Sequence, residues 1–246
     1  MRKVGIWWIV VASLAIGCSG SQPVVLAEFA TPLANRTEGQ VYNALKAARA
    51  INGRLIRPGE VFSFNKAVGE WSQGRGYVRA PVSLGGILVL SWGGGVCQAS
   101  TTLYGAALFA GLAIVERHAH SVAPTYVATG LDAAVAPGVA DLKIRNPHPF
   151  SVGLRFFRRH DRLICQVIGF CSEAENPFRK GFRWVVRREV VADNPKASEG
   201  VGVSNRPGQT IRVWRLTFQK DLLIRQELCH ETEYQPSMSV FFPARH

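Results

Sequence analysis

The stretch GGGVCQASTTLY, Gly93 to Tyr104, places one cysteine where a glycine-rich turn meets an apolar segment. Small and apolar residues recur at helical spacing as far as Gly111, which predicts a buried helix over Cys97 to Ala110. A helix N-terminus carries unpaired N–H groups and positive potential, which lower a thiol pKa and stabilise an oxyanion. Cys97 is therefore the predicted nucleophile, with a buried structural cysteine as the alternative.

The residues around Cys97 are predicted to hold the substrate. Gly94 and Gly95 allow close approach of a substrate backbone, because glycine has no side chain. The N–H groups that follow Gly95 and the side chain of Gln98 are the predicted oxyanion donors. Ser100 is included in the same binding set, although local hydrogen bonding is the default for a serine in the first turns of a helix.

A strand predicted over Ala113 to Ser121 carries two histidines. Its period of two places His118 and His120 on one face with Glu116, and Arg117 on the other face. A thiol nucleophile needs a base within hydrogen-bond reach and a group that orients this base. His120 is the predicted base and His118 is the second candidate, or a structural histidine bonded to Glu116.

Two aspartates follow as candidates for the orienting group. Asp132 lies in a glycine-containing turn and Asp141 begins a predicted strand, and each has an ordinary alternative role at a turn or strand end. The sequence does not choose between them. Arg117, with Arg79 and Arg36, is predicted to hold a substrate carboxylate, since a guanidinium fork matches that group.

A zinc site is the rival interpretation of the same residues. His118 and His120, with Cys97 or an aspartate, have ligand chemistry that suits a hydrolytic zinc. The chain has no second spaced pair of the CxxC or HExxH kind. We therefore expect neither a metal nor an organic cofactor.

The composition indicates a basic globular protein, and the N-terminus described next predicts that it is exported. With 246 residues, 47% hydrophobic and 19% charged, the chain is long and apolar enough to bury a sizeable core. The formal charge of +12 is concentrated in the second half, where arginines alternate with apolar residues. Export argues against nucleic acid as a partner, and the charge favours peptidoglycan or another anionic envelope polymer.

The N-terminus predicts the export route. Two basic residues precede the uncharged segment Val4 to Gly17, which is typical of a signal peptide over residues 1–17. The residues around Cys18 resemble a bacterial lipobox, which predicts lipidation at Cys18 and a membrane anchor. Cleavage after Ala27, or an uncleaved anchor, is the alternative, and each places the protein in the bacterial cell envelope.

Local patterns predict two further elements. Thr37 and Gln40 form a capping box ahead of a helix that ends at Gly53. Ala80 to Leu84 and Ile87 to Ser91 are predicted to pair as a hairpin across two glycines.

The predicted fold class is α+β. A tether over residues 18–33 leads to a helix-and-strand domain over 34–150, which carries the cysteine at a helix N-terminus, and a smaller β-rich domain occupies 151–246. In an oxidising compartment two of the remaining cysteines, Cys165, Cys171 and Cys229, are able to pair, or all three stay reduced.

A series of short motifs follows a fixed order along the chain. They are Asn52-Gly53, Pro58 to Asn65, Gly76-Tyr77, Gly93 to Tyr104, Glu116 to Ser121, Gly130 to Ala133 and Asp141-Leu142. Together they resemble the VanW family of bacterial envelope proteins, over about residues 30 to 157. Ala134 departs from the family, which commonly has threonine there.

The resemblance implies a role in cell-wall biology, since the family is named for a gene associated with glycopeptide resistance. Some VanW-like domains have been proposed to act as L,D-transpeptidases, which are cysteine enzymes that crosslink peptidoglycan stems. In those enzymes histidine commonly precedes cysteine, whereas here Cys97 precedes His120, so a shared fold does not follow. We expect an enzyme of cysteine-dependent acyl transfer that crosslinks or trims stem peptides, with a non-catalytic wall-binding or scaffold protein as the alternative.

Overall fold

The computed structural model describes residues 21–84, 87–194 and 203–240. Its helices are α1 (Glu38–Ile51), α2 (Phe64–Val68) and α3 (Val96–Phe109). Its strands are β1 (Gln22–Pro32), β2 (Leu55–Ile56), β3 (Val61–Ser63), β4 (Arg79–Leu84), β5 (Ile87–Trp92), β6 (Ala113–Glu116), β7 (Lys143–Arg145), β8 (Ser151–Arg159), β9 (Arg162–Cys171), β10 (Phe182–Asn194), β11 (Val203–Arg206), β12 (Gly208–Gln219), β13 (Leu222–Tyr234) and β14 (Ser237–Val240). The α+β class expected from the sequence is confirmed.

The predicted signal segment 1–17 and Cys18 lie outside the described residues. Among the residues that are described, none of the helices combines the length and apolarity needed to cross a membrane.

Helix α1 begins as its sequence predicts. The Thr37 hydroxyl accepts a hydrogen bond from the Gln40 N–H at 3.3 Å, and Gln40 Oε1 accepts one from the Thr37 N–H at 3.1 Å. These reciprocal bonds satisfy two N–H groups that the helix start otherwise leaves unpaired. The capping box is therefore confirmed, and α1 buries its alanine-rich face in the core.

Helix α1 also holds the chain that leads into α3. Asn43 Nδ2 donates to the carbonyls of Val78 and Gly94, both at 2.9 Å, and Asn43 Oδ1 accepts from Val78 N at 3.0 Å. Gln40 Nε2 donates to Pro81 O at 2.8 Å. The predicted hairpin is confirmed as β4 paired with β5, and these bonds dock it on α1.

Helix α3 is the centre of the core. Almost every residue from Val96 to Leu108 is buried. Gly105 lies directly against the Phe29 ring of β1, where a side chain would collide. This close approach allows Phe29 to stack on Phe109 with ring centroids 6.0 Å apart.

The main sheet contains strands from both sides of the two domain boundaries predicted from the sequence, after residue 33 and after residue 150. Its order is β1-β9-β8-β2, all antiparallel, and β1 pairs with β9 from Gln22 opposite Cys171 to Pro32 opposite Arg162. Most of the predicted tether 18–33 is therefore a strand. Strands β8 and β9 follow residue 150 but share this sheet with β1 and β2, because α3 provides the apolar surface that the sheet covers.

The later strands form a second antiparallel sheet, in the order β10-β12-β13, and a separate pair, β11 with β14. The second sheet packs on the end of α3: the Trp184 ring of β10 fills the space beside Gly111. Arg215 of β12 donates through Nη1 to the Leu112 carbonyl at 2.5 Å. The β-rich part is thus bonded to the cysteine-bearing part through buried contacts.

Strand β6 is shorter than the sequence predicts. It ends at Glu116, and beyond it a single bridge links His118 to Ala134. A register shift also lies between Ile114 and Glu116 where β6 pairs with β7. The period of two therefore does not extend to His120.

The cysteines of the described residues are free thiols. Cys165 and Cys171 lie six residues apart on β9, about 20 Å along an extended strand, which is too far for a disulfide. Cys229 lies on β13, where it is partly buried.

Gly95 allows the start of α3 to approach the backbone of α1, so we expect a side chain here to destabilise the protein strongly. Its φ is +109°, and a Cβ at this position would collide with the Gln40 carbonyl. We expect Gly95→Ala to lower the free energy of unfolding by about 3 kcal/mol, from left-handed strain together with the backbone collision. The control is Gly53→Ala, where φ is +78° and the space is open, with an expected loss of about 1 kcal/mol. Urea unfolding measures both, and equal losses would contradict the packing argument.

Candidate active site

Cys97 is the second residue of α3, directly after the left-handed turn at Gly95. The residue is partly buried, and Sγ donates to the Val135 carbonyl at 3.4 Å. The turn uses the N–H of Val96, bonded to Gly93 O, and of Gln98, bonded to Gly95 O. Among the described residues no acceptor is bonded to the Cys97 N–H, so this donor is available at the helix start.

His120 is held beside Cys97 by Asp132. The His120 ring donates through Nδ1 to Asp132 Oδ2 at 2.7 Å, and its backbone N–H donates to the same oxygen at 2.9 Å. Because Nδ1 is engaged, Nε2 is the ring nitrogen that remains for the thiol, and the pKa of each group is shifted by the other. The order thiol, imidazole, carboxylate is that of a nucleophile, its base and the group that orients the base.

The pKa shifts follow from this arrangement. Burial would lower the pKa of His120, but the hydrogen bonds to Asp132 and Cys97 outweigh it and raise this pKa to about 10. Burial would raise the pKa of Cys97, but the hydrogen bond and charge of His120 bring it below its ordinary value. The charge of the His120 ring thus favours the thiolate form of Cys97, and the hydrogen bonds to Asp132 and Cys97 favour the protonated form of the ring.

Asp132 is fully buried and remains ionised. Burial would raise its pKa, but the hydrogen bonds from His120 and the charge of Arg117 hold the pKa well below its usual range. Arg117 donates through Nη2 to Asp132 Oδ1 at 2.7 Å and through Nε to the Asp132 carbonyl at 2.8 Å. The Tyr234 hydroxyl also donates to Oδ1. The carboxylate therefore accepts two hydrogen bonds on each oxygen.

Strand β13 supports this carboxylate from the far end of the chain. Arg117 Nη1 donates to the Thr232 hydroxyl at 2.7 Å, and that hydroxyl donates to His230 Nδ1 at 2.9 Å. His230 Nε2 in turn donates to the Gly130 carbonyl at 3.1 Å. Burial and the charge of Arg117 lower the pKa of His230 to about 4, so this ring is neutral. The Tyr234 hydroxyl accepts from the Gly130 N–H at 2.8 Å.

These β13 residues were missed by the sequence reasoning. Thr232 and Tyr234 are separated from Asp132 by about a hundred positions, as the bond between Tyr234 and Asp132 illustrates with its separation of 102. The only signal in the sequence was the run of polar residues HETEY, His230 to Tyr234, and a solvent-exposed strand shows the same pattern.

The other acidic and histidine candidates lie elsewhere. The Asp141 carboxylate accepts from Ser63 Oγ at 2.5 Å and from Asn65 N at 2.8 Å, so it fastens β3 and the start of α2. His118 is bonded through Nε2 to Glu116 at 2.9 Å on the surface. The expectation that both histidines share a face, opposite Arg117, is wrong, because the strand ends at Glu116.

The residues near Cys97 that were predicted to bind the substrate contact other parts of the protein instead. Gln98 Nε2 donates to the Pro32 carbonyl of β1 at 2.6 Å, and Ser100 Oγ donates to the Ala133 carbonyl at 2.7 Å. Gly94 and Gly95 lie so close to the backbones of β4 and α1 that a side chain on either would collide with them. These four residues position α3 within the protein, and Arg117 binds Asp132.

The metal interpretation finds no geometric match in this site. Within the described ranges, no group of three or more His, Cys, Asp or Glu side chains is arranged to hold a metal ion.

Comparison with known proteins gives one family and two relatives. The family model described as "VanW like protein" matches residues 39–168. The chain is 37% identical over 139 residues to the uncharacterized protein YoaR of Bacillus subtilis, covering 56% of this chain and 46% of that protein. It is 36% identical over 135 residues to the vancomycin B-type resistance protein VanW of Enterococcus faecalis, covering 53% of this chain and 49% of that protein.

The chain spans about half the length of the curated relatives it matches. No solved structure matches it. The matched family range includes Cys97, His120 and Asp132 and ends before β10, so it does not include β13.

The pKa shifts favour a thiolate–imidazolium ion pair, and such an ion pair predicts a reactive thiol. At pH 7 Cys97 should react with iodoacetamide much faster than Cys165, whose pKa is raised by complete burial. His120→Gln should slow the Cys97 reaction by about tenfold or more, because it removes the charge that opposes the effect of burial on the thiol pKa. Peptide-level mass spectrometry of the folded protein measures both rates. Equal Cys97 rates in the wild-type and His120→Gln proteins would contradict the ion pair.

Tyr234→Phe should lower the free energy of unfolding by about 1–3 kcal/mol, because it removes a donor from Asp132 and leaves the Gly130 N–H unpaired. Tyr42→Phe is the matched control, since its hydroxyl bonds the Gly76 carbonyl on the surface at 3.1 Å. We expect the control to change stability by less than about 0.5 kcal/mol. Urea unfolding gives both values, and a silent Tyr234→Phe would show that β13 does not stabilise the carboxylate.

Proposed function

The chain belongs to the VanW-like protein family, and from this membership and the Cys97 site we propose that it is a cell-envelope enzyme that transfers peptide acyl groups on peptidoglycan. The observation that carries the proposal is the Cys97–His120–Asp132 array, with its carboxylate buried and fully bonded. One relative is named a vancomycin resistance protein, which agrees with a role in the cell wall.

The first step is attack by the Cys97 thiolate on a carbonyl carbon of a stem peptide. The carbon–sulfur bond forms as the carbonyl π electrons move to oxygen, and the Cys97 N–H at the helix start is a donor for this oxyanion. When the electron pair returns, the carbon–nitrogen bond breaks. His120 gives its Nε2 proton to the departing amine, which leaves an acyl thioester on Cys97.

The second step releases the acyl group. An amine of another stem, or water, attacks the thioester and gives its proton to the neutral His120 ring. The carbon–sulfur bond breaks, so the thiolate and the imidazolium are restored together. Asp132 keeps Nδ1 protonated throughout and holds the ring in place. An amine acceptor gives a crosslink, and water gives a trimmed stem, without a cofactor.

The proposed location is the bacterial cell envelope. Export through the segment 1–17 and lipidation at Cys18 would anchor the protein at a membrane. A net charge of +12 would favour contact with anionic wall polymers. Nucleic acid is not a proposed partner.

The decisive experiment incubates disaccharide tetrapeptides with the protein and follows the muropeptides by mass spectrometry. We expect crosslinked or shortened products from the wild type and a loss of at least about a thousandfold in Cys97→Ala, since the nucleophile is gone. Cys229→Ala removes a different free thiol and should retain activity. Unchanged substrate with folded wild-type protein and several stem types would favour a non-catalytic wall-binding protein instead.

A further inference from the structure

Arg36 carries a positive charge near Cys97 that the described residues do not neutralise. It lies between β1 and α1, directly before the capping residue Thr37, and is partly buried. None of the salt bridges among the described residues includes Arg36. Its Nε is buried and makes no hydrogen bond with another described residue.

Tyr126 fixes the position of this guanidinium. Arg36 Cζ lies 5.0 Å from the centroid of the Tyr126 ring, in a cation–π arrangement. Tyr126 is itself only 9% exposed. The Nε of Arg36 is thus a buried donor of a charged group without a protein partner among the described residues, which is costly unless a ligand or water satisfies it.

Two contacts bring the segment that carries Arg36 to the start of α3: Gln98 Nε2 donates to the Pro32 carbonyl at 2.6 Å, and Gly95 lies against the Gln40 carbonyl. Arg36 lies between Pro32 and Gln40 in the chain, and the pKa shifts agree with this position. Burial lowers the pKa of Arg36, opposed by the charges of Tyr126 and Cys97. Burial raises the pKa of Tyr126, and the charge of Cys97 raises it further. A thiolate therefore contributes to the electrostatic environment of both side chains.

Among the described charged groups of the site, Arg36 is the cation without an anionic partner. The charge of the His120 ring offsets that of a thiolate at Cys97, and the Asp132 carboxylate is matched by Arg117 at 2.7 Å. Arg117 shows what a guanidinium in this site requires, which is a carboxylate in direct contact. Arg36 has the same chemistry without that partner, and its fork suits a carboxylate supplied by the substrate.

We propose that Arg36, held by Tyr126, binds a carboxylate of the substrate next to the carbonyl that Cys97 attacks. The ligand class is a peptide with a free carboxylate on the residue beyond the attacked carbonyl, so the departing amine is a C-terminal amino acid. Where it names stem peptides, this inference rests on the proposed function. The carboxylate site itself does not depend on it.

Two alkylating reagents of nearly equal shape test the site without any peptide. Iodoacetate carries a carboxylate where iodoacetamide carries a neutral amide, and both alkylate Cys97. We measure the ratio of the two rates at Cys97 by peptide-level mass spectrometry. The ratio cancels changes in the thiolate fraction, because both reagents react with the same thiolate. It therefore isolates the attraction of Arg36 for the carboxylate.

Arg36→Gln should lower the iodoacetate-to-iodoacetamide ratio by about tenfold, since it removes a charge-assisted hydrogen bond to the carboxylate. Arg36→Lys keeps the charge and should keep part of the preference. Arg155→Gln is the matched control, because Arg155 is an exposed arginine with Cζ 5.4 Å from the Phe157 centroid, and it should leave the ratio unchanged.

An unchanged ratio in Arg36→Gln, or an equal fall in Arg155→Gln, would overturn the proposal. A wild-type ratio at Cys97 no higher than that of free cysteine under the same conditions would also overturn it, and this measurement needs no variant. The wild-type comparison keeps the test decisive even if Arg36→Gln does not fold.

Substrate turnover then separates this inference from the proposed function. A disaccharide tetrapeptide with a free C-terminal carboxylate should react at least about tenfold faster than the same compound with a C-terminal carboxamide. Arg36→Gln should remove most of this difference, and equal turnover of both by the wild type would contradict the proposed ligand class. If neither peptide reacts, the proposed function fails, while the alkylation ratio still decides whether the carboxylate site exists.

Discussion

The buried carboxylate of Asp132 is the group on which the rest of the site depends. It accepts hydrogen bonds from the backbone and ring of His120, from Arg117 and from Tyr234. An ionised carboxylate without solvent is stable only when it is paired and fully bonded. The Asp132 carboxylate therefore joins three segments: its own loop, the segment after β6 and strand β13. Each of them depends on the other two for its position. The same bonds fix the ring that faces Cys97.

The other half of the site is held by packing. Helix α3 is buried along nearly its whole length, and α1 binds the turn before it through Asn43 and Gln40. Cys97 thus lies on the most deeply buried helix, while the His120 ring is held by the hydrogen bonds around Asp132. If the proposed reaction occurs, this arrangement orients the two groups before a substrate binds.

The charged side chains of the site fall into those that have partners within the protein and one, Arg36, that we propose binds a ligand. Inside the site the Asp132 carboxylate is paired with the Arg117 guanidinium and bonded to the His120 ring, whose charge acts on the Cys97 thiol. Arg36 takes part in none of these contacts and lies over the Tyr126 ring. Because the other charges of the site have partners within the protein, we assign Arg36 to a ligand. The anionic character of the proposed substrate follows from that contrast, while the overall basic surface acts at longer range.

The sequence alone determined the elements whose causes are local: the helix that carries Cys97 near its start, the capping box of α1 and the hairpin. Tertiary structure decided what depends on distant partners. It selected Asp132 over Asp141, moved His118 to the surface and brought Tyr234 into the site. It also turned the predicted tether into β1, whose partner strand lies about 140 residues later. Helix caps and hydrophobic periodicity depend on residues that are close together in the sequence, so the sequence shows them. Strand pairing and buried ion pairs join residues that are far apart in the chain, and no local sequence pattern identifies the partners.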